Sequence, residues 1–170
     1  MKLVIIGAGG YGKTIYDLAI QSKKYNDLFF LDDNSKENNV KGSCSDYKNF
    51  NSNEFEFYPA FGNNEIRLNW INKLEKNNYK IATIIHNSAY VSPSVKVGVG
   101  SVVLPKAVVN TDVKIGKGCI INCGAIIDHG CIVEDGVHIC LGAIVKGENR
   151  IASKIKIEAG EIIQLRTYAL

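Results

Sequence analysis

The sequence predicts a two-domain protein, with an α/β unit resembling half of a Rossmann fold over residues 1–84 and a parallel β-helix over residues 85–170. Ile or Val occupies every sixth position from Ile85 to Ile163, fourteen times without a gap. That period is typical of a hexapeptide-repeat β-helix. Ahead of the repeat, an apolar strand meets a glycine-rich turn and a helical stretch, which is the order found in nucleotide-binding α/β units.

The first element is a buried strand over residues 2–6, followed at once by a turn of the form G-x-G-x-x-G. A helix is expected from Lys13 to about Ser22 and a second strand from Leu28 to Leu31, which ends at an Asp-Asp pair. Glycines let the backbone approach a phosphate, and a helix N-terminus offers N–H donors to it. The other interpretation is a tight strand–helix turn without a ligand. Since 84 residues hold only one βαβ half, a mononucleotide or nucleotide sugar is favoured over NAD.

The rest of the α/β unit is expected to be a loop over residues 34–53, a strand over 54–61, a helix and a last strand. Gly62, Asn63 and Asn64 mark the start of the helix, which should end near Glu75. Its apolar face is predicted to contain Ile66, Trp70, Ile71 and Leu74. The last strand, over residues 79–85, should lead directly into the repeats.

Each hexad of the repeat should contribute two inward side chains and one turn. The Ile or Val register points inward, as does a second register of mostly small residues four places later, because alternate residues of a strand face one side. Seven of the hexads place glycine at the last turn position, where it accepts positive φ. Three hexads should form one triangular coil, so residues 18 apart are expected to stack.

The outward strand positions form three faces when they are sorted by this 18-residue spacing. We name them the apolar, mixed and basic faces. The apolar face contains Val108, Ile126, Ile144 and Ile162. The mixed face contains Val102, Ile120, His138 and Lys156. The basic face contains Lys96, Lys114, Ile132, Arg150 and Tyr168. An exposed apolar face should be covered, so we expect a homotrimer with the first two faces inside, because contacts between two different faces close into a ring.

Composition argues against several classes of protein, namely nucleic-acid-binding, membrane-inserted and secreted ones. The net charge is +3 and is spread thinly, so the sequence does not indicate binding to nucleic acid or insertion in a membrane. No signal peptide or apolar run of membrane-spanning length is recognised. The five cysteines form no C-x-x-C pair, and two of them fall at inward positions. A cytoplasmic location is therefore expected.

The second domain contains the residues most suited to catalysis. His129 falls at a turn corner beside the apolar face, where it is either a general base or a polar corner residue. Asn122 lies at the preceding corner, and Asp128 is a candidate for orienting the imidazole. His138 falls mid-strand, where packing is the simpler interpretation. A zinc site across subunits and a nucleophilic Cys123 or Cys140 are weaker hypotheses, and no metal is expected.

Several motifs together resemble the NeuD-type family of bacterial sugar O- and N-acyltransferases, which includes the UDP-4-amino-sugar N-acetyltransferases. The matching stretches are Gly-Ala-Gly-Gly-Tyr-Gly at 7–12, Leu-Asp-Asp at 31–33, Phe-Gly-Asn at 61–63 with Arg67, Ile-Ile-His at 84–86 and Asn-Cys-Gly-Ala-Ile-Ile-Asp-His at 122–129. The resemblance implies a Rossmann-like domain and a left-handed β-helix, assembled as a trimer. It also implies that acetyl-CoA lies between two prisms.

The resemblance further implies a role for each candidate residue. His129 would be the base, with Asn122 and Asp128 in the active site. The residues expected to bind a nucleotide sugar are Gly7, Gly9, Gly10, Tyr11, Gly12, Asp32, Asp33, Gly62 and Asn63. Those expected to bind acetyl-CoA are His138, Gly142, Ala143 and Lys146, with backbone N–H groups near Ala143 as donors to the oxyanion. The chain departs from the family at Gly130, where an acidic residue is usual, at Asn87 in place of proline, and in its short C-terminal tail.

The expected activity is acetyl transfer from acetyl-CoA to the amino group of a nucleotide-linked, UDP-type amino-deoxy sugar for surface glycan synthesis. Two alternatives stay open at this point. One is O-acetylation of a sialic-acid-type sugar on the same scaffold. The other is a catalytically weak protein that binds a nucleotide sugar.

Overall fold

A computed structural model describes residues 1–170, and the chain divides into two units, Met1–Ala82 and Thr83–Leu170. The first unit contains both α-helices and a four-stranded sheet. The second contains only two-residue strands joined by turns. Neither helix is long and apolar enough to cross a membrane.

The first unit is built on a parallel sheet whose strand order is β2-β1-β3-β4. Its elements are β1 (Lys2–Ile6), α1 (Gly10–Ser22), β2 (Asp27–Leu31), a 3-10 helix (Cys44–Asn49), β3 (Phe55–Pro59), α2 (Asn64–Lys76) and β4 (Lys80–Ile81). Strand β1 is central and pairs with β2 and β3 along its full length. Its side chains from Leu3 to Ile6 are fully buried, because a central parallel strand is covered on both faces.

Two boundaries of this unit differ from the sequence prediction. Helix α1 begins at Gly10 rather than Lys13, because Gly9 is already the N-cap and its carbonyl accepts from the Lys13 N–H at 3.0 Å. The expected strand over 79–85 is two strands in different sheets. Ala82 N–H donates to Phe57 O at 2.9 Å, whereas Ile84 N–H donates to Ser101 O at 3.2 Å.

Side-chain contacts explain two further differences. Residues 34–53 are not all loop, because a 3-10 helix forms where Ser43 and Asp46 cap its start and the aromatic ring of Tyr47 is buried. Helix α2 does not bury Ile66, which is 46% exposed. It buries Arg67 instead, and the guanidinium donates to Phe61 O and Asn64 Oδ1, both at 2.8 Å.

The second unit is a triangular prism, the left-handed parallel β-helix expected. Its strands are β5 (Ile84–Ile85), β6 (Tyr90–Val91), β7 (Lys96–Val97), β8 (Val102–Val103), β9 (Val108–Val109), β10 (Lys114–Ile115), β11 (Ile120–Ile121), β12 (Ile126–Ile127), β13 (Ile132–Val133), β14 (His138–Ile139), β15 (Ile144–Val145), β16 (Arg150–Ile151), β17 (Lys156–Ile157) and β18 (Ile162–Ile163). Every third strand pairs, so residues 18 apart face each other, as Ile120 and His138 do. The 18-residue stacking is confirmed.

The turns share one backbone conformation whatever residue occupies them. Twelve successive positions, each six residues apart, have positive φ from Gly100 to Arg166. Seven are glycine. The others are Lys106, Asp112, Glu148, Lys154 and Arg166. Inter-coil stacking therefore imposes the left-handed conformation, even on side chains that disfavour it.

Two interior positions of the prism are polar, Ser101 and Asn149. Asn149 is fully buried, and its amide donates to Lys146 O at 2.7 Å and to Gln164 O at 2.8 Å. Its Oδ1 accepts from Tyr168 N–H at 2.8 Å. These bonds satisfy the buried amide and fix the turn over residues 146–148 from inside the prism.

The three outward faces are only partly as expected. On the mixed face, Val102 and Ile120 are already buried within the single chain, so they need no partner subunit. The apolar face, which Tyr90 extends, is half-buried at Val108, Ile126 and Ile144 and exposed at Ile162. On the basic face, Lys96, Lys114, Arg150 and Tyr168 are exposed. The apolar face remains the surface that we expect a second subunit to cover.

We expect Ile126→Glu to convert a homotrimer into monomers, because association would bury an unpaired carboxylate on the apolar face. Sedimentation velocity measures the change. Lys114→Glu, on the exposed basic face, is the matched control and should leave the oligomer intact. A wild-type chain that sediments as a monomer would contradict this prediction.

Candidate functional site

Two glycines of the turn after β1 serve packing. Gly7 has φ of +104° and its N–H donates to Leu31 O at 2.8 Å. A Cβ added at Gly12 would collide with the carbonyl oxygen of Gly7. These two glycines allow the first turn of α1 to pack against the end of β1, as the third glycine of such motifs does.

The remaining glycines of the predicted site leave open space. A Cβ added at Gly9, Gly10 or Gly62 would have no atom within 4 Å. Helix α1 also starts without a side-chain cap and without an acidic residue in its first turn. The first N–H groups of a helix have no intrahelical acceptor and carry a partial positive charge. This turn can therefore receive an anion such as a phosphate at close range.

The two aspartates after β2 tie the loops of the first unit together. Asp32 accepts from the N–H groups of Ala8, Asn34 and Ser35, each at 2.8 Å. Burial raises the pKa of Asp32, but these three donors outweigh it and hold the pKa below its ordinary value. Asp33 accepts from Cys44 N–H at 2.8 Å. The glycine-rich turn is thus held by a carboxylate whose two oxygens both accept backbone bonds.

Tyr11 and Asn63 also have internal partners. The Tyr11 hydroxyl lies 2.6 Å from the Tyr58 hydroxyl, and burial, with the contact to Tyr58, raises the pKa of Tyr11 well above its usual value. Asn63 caps α2, where its Oδ1 accepts from Ile66 N–H at 3.0 Å. A ligand of this turn would therefore meet backbone groups more than the side chains of these two residues.

His129 lies at the corner that follows β12, and its side chain is 49% exposed. Asp128 is beside it. The Asp128 carboxylate accepts from Asn110 Nδ2 at 3.0 Å and from the His129 N–H at 2.8 Å. These bonds lower the pKa of Asp128, so it is ionised at neutral pH. Its Oδ2 is 3.9 Å from His129 Nε2, which is too far for a hydrogen bond but close enough for the negative charge to act on the ring.

A glycine that sequence reasoning missed supports the imidazole. A Cβ added at Gly147 would lie 2.8 Å from both Cε1 and Nε2 of His129. Gly147 stands 18 residues after His129, at the same corner of the next coil. The signal was available in the sequence, because the stacking rule places this glycine against the histidine.

Asn122 and His138 form a second pair. Asn122 Nδ2 lies 3.1 Å from His138 Nε2, and Asn122 Oδ1 accepts from Cys123 N–H at 2.8 Å. The second bond fixes the amide orientation, so its nitrogen donates and His138 Nε2 accepts. The structure joins Asn122 to His138 and Asp128 to His129.

The residues predicted to contact acetyl-CoA differ in what they offer. Gly142 has φ of +63° and open space beyond its Cα, whereas the Ala143 side chain is buried inside the prism. The Lys146 ammonium donates to Gln164 Oε1 at 2.6 Å. Two backbone N–H groups of the corner predicted to supply donors to the oxyanion already have acceptors. Gly142 N–H donates to Cys123 O of the preceding coil at 3.0 Å, and Ala143 N–H donates to Cys140 O of its own turn at 3.1 Å.

Three of the five thiols are held in the protonated form. Burial raises the pKa of Cys131 and of Cys140, so both stay protonated at neutral pH. Burial also raises the pKa of Cys44, to about 12. No group of three or more His, Cys, Asp or Glu side chains is arranged to hold a metal ion.

Comparison with known proteins places this geometry in context. The family described as the PglD N-terminal domain matches residues 2–74. The acetyltransferase domain of PglB from Neisseria gonorrhoeae FA1090 superposes with a TM-score of 0.94 at 35% identity, covering 97% of this chain and 83% of that chain. The same domain in complex with acetyl coenzyme A also gives 0.94, at 36% identity, covering 97% of this chain and 82% of that chain.

A more distant structure shares the fold. A mutant of perosamine N-acetyltransferase from Caulobacter crescentus, in complex with CoA and GDP-perosamine, superposes with a TM-score of 0.83 at 22% identity. The match covers 97% of this chain and 89% of that one.

We expect Gly12→Ala to lower the free energy of unfolding by about 2–4 kcal/mol, because the added methyl would collide with a backbone carbonyl that cannot rotate away. Urea denaturation measures it. Gly9→Ala is the matched control in the same turn and should change stability by less than about 1 kcal/mol. Equal losses at both positions would show that the two glycines do not have separate roles.

Proposed function

The chain belongs to the NeuD-type family of hexapeptide-repeat sugar acetyltransferases, and on that premise we propose that it acetylates the amino group of a nucleotide-linked amino sugar. Acetyl-CoA is the donor, and His129 is the general base. The observation that carries the proposal is the likeness, along nearly the whole chain, to an acetyltransferase domain that binds acetyl coenzyme A.

The glycine-rich turn supports the assignment of the nucleotide sugar to residues 1–84. Gly9, Gly10 and Gly62 leave room for a ligand to reach the backbone. The uncapped start of α1 suits a diphosphate, which carries the charge that a helix N-terminus favours. Asp32 then acts mainly by holding the turn in shape through Ala8.

One corner of the prism supports the assignment of the acetyl-CoA site to the second unit. Gly124, Gly142 and Gly160 stack there in successive coils, and each would have no atom within 4 Å of an added Cβ. Three such glycines in a column make a strip without side chains, along which the extended pantetheine arm can lie. His138 and Lys146 are the polar groups proposed to fix the cofactor.

His129 has the chemistry that the transfer requires. The amine nitrogen attacks the thioester carbonyl and forms a tetrahedral intermediate, whose collapse breaks the C–S bond and releases the CoA thiolate. The amine proton passes to the imidazole and from there to the thiolate sulfur. Imidazole is the side chain most often used to accept and return a proton in such a step. The ionised Asp128 favours the imidazolium that forms.

A thioester is already activated, so the mechanism needs no covalent enzyme intermediate. The protonated thiol of Cys140 agrees with direct transfer. The proposed role of Asn122 is to orient the His138 ring through their hydrogen bond.

The acceptor atom and the nucleotide are the finer parts of the proposal, with UDP as the expected nucleotide. An O-acetyl ester, the product of the sialic-acid-type alternative, is cleaved by mild alkali, whereas an acetamide survives it. A catalytically weak binding protein, the second alternative, would bind nucleotide sugar and release no CoA. Product analysis after alkaline treatment therefore separates the three.

We expect His129→Ala to lower kcat by on the order of 10²–10⁴, the usual contribution of a general base. Release of CoA thiol from acetyl-CoA measures turnover. Binding of the nucleotide sugar should change little, because the base acts on the reacting amine.

Asn122→Ala should lower kcat less than His129→Ala does, since it acts through His138. Cys123→Ala and Cys140→Ala are the controls and should keep nearly full turnover. Near wild-type turnover in His129→Ala, together with a dead cysteine variant, would contradict direct transfer.

We expect Gly9→Val to abolish binding of the nucleotide sugar, because the isopropyl group would occupy the open space that a phosphate needs. Isothermal titration with the nucleotide sugar and, separately, with acetyl-CoA measures both affinities. Acetyl-CoA binding should survive. Loss of both in a folded variant would mean that acetyl-CoA also binds at the N-terminal unit.

A further inference from the structure

The corner that carries His129 continues in the next coil as Gly147 and Glu148. Glu148 N–H donates to the His129 carbonyl at 3.0 Å, so the two turns are joined directly. The imidazole lies over Gly147, where an added Cβ would be 2.8 Å from Nε2. The ring is therefore turned toward the coil that holds Glu148.

The Glu148 side chain lies against Gly130, the residue that follows His129. Glu148 adopts φ of +54° at the turn position stacked on Gly130. A Cβ added at Gly130 would lie 3.5 Å from Glu148 Cγ. Because Gly130 has no side chain, Glu148 can lie next to the corner of His129.

Arg166 holds the carboxylate from the following coil. It stands 18 residues after Glu148, and its Nε donates to Glu148 Oε2. Glu148 is about one-third exposed and Arg166 about two-thirds. The hydrogen bond from Arg166 lowers the pKa of Glu148, and His129 contributes to the same shift. Glu148 is thus charged at neutral pH, and its carboxylate accepts from Arg166.

We propose that Glu148 is a positioning residue that supplies a second carboxylate to His129, and that Arg166 sets how much of its charge the imidazole experiences. This inference deepens the proposed function, since it assumes His129 as the base. A nearby carboxylate favours the imidazolium and a nearby guanidinium opposes it. The two residues should therefore act on His129 with opposite sign.

Other charged groups face this corner from each packed turn. Asp128 is on the turn of His129 itself. Lys146 is on the next turn, but its ammonium is bonded to Gln164. Asp112 is one coil earlier, at the turn position stacked with Gly130. None of these three side chains forms a hydrogen bond or ion pair with Glu148 or Arg166. Replacing Glu148 or Arg166 therefore removes one charge without breaking a bond to Asp128, Lys146 or Asp112.

The test is an NMR titration of histidine-labelled full-length protein, with His129 assigned by its loss in His129→Gln. We expect E148Q to lower the midpoint for His129 by about 0.5 and R166Q to raise it by a similar amount. The double variant removes both charges, so its midpoint should return close to that of the wild type. The acid limb of kcat/KM should move in the same directions.

The Glu134–Arg150 pair provides matched controls, because Arg150 Nε donates to Glu134 Oε1 at 2.6 Å and neither side chain bonds to His129, Glu148 or Arg166. E134Q and R150Q should leave the His129 midpoint within about 0.1 of wild type. The inference is overturned if E148Q and R166Q shift the midpoint no more than these controls, or shift it in the same direction. The titration needs no turnover, so an inactive wild-type enzyme would refute the proposed function and leave this test intact.

Discussion

Stacking at an 18-residue interval is the constraint on which the second unit depends. Each two-residue strand pairs only with the strands one coil before and one coil after it, so no single hexad is stable alone. The same constraint sets the turns. Positive φ recurs every sixth residue whether the turn residue is Gly130 or Glu148. The 18-residue stacking also determines which residues are in contact. His129 lies over Gly147 because the two are 18 residues apart.

The first unit depends on a different constraint, the close approach of α1 to the end of β1. Gly7 and Gly12 make that approach possible, and Asp32 fixes the turn by accepting from Ala8. Gly9 is not required for this packing, because a Cβ added there would meet no atom within 4 Å. A glycine without a structural reason, beside an uncapped helix start, is what a phosphate-binding turn requires. The packing of the fold and the room for a ligand thus come from different glycines of one motif.

Much of the prism could be predicted from the sequence, because a strict period fixes both register and direction. The corner of His129 and the stacking of His138 on Ile120 follow from counting. The elements of the first unit are harder to predict from the sequence, because side-chain contacts there override the local hydrophobic pattern. The 3-10 helix depends on capping by Ser43 and Asp46. The buried Arg67 depends on carbonyls that no periodicity reveals. The Asn122–His138 bond was likewise missed, because it joins a corner to a strand one coil away.

Mass spectrometry of the product tests most directly the central claim, that acetyl is transferred directly to a nucleotide-linked amine. The enzyme would be incubated with acetyl-CoA and a panel of UDP-, GDP- and dTDP-linked amino sugars, and the nucleotide-sugar fraction analysed before and after mild alkali. We predict that one nucleotide sugar gains a single acetyl group that survives alkali, with one CoA thiol released per product. A nucleotide sugar that binds but is never acetylated, or an acetyl group that alkali removes, would contradict the claim.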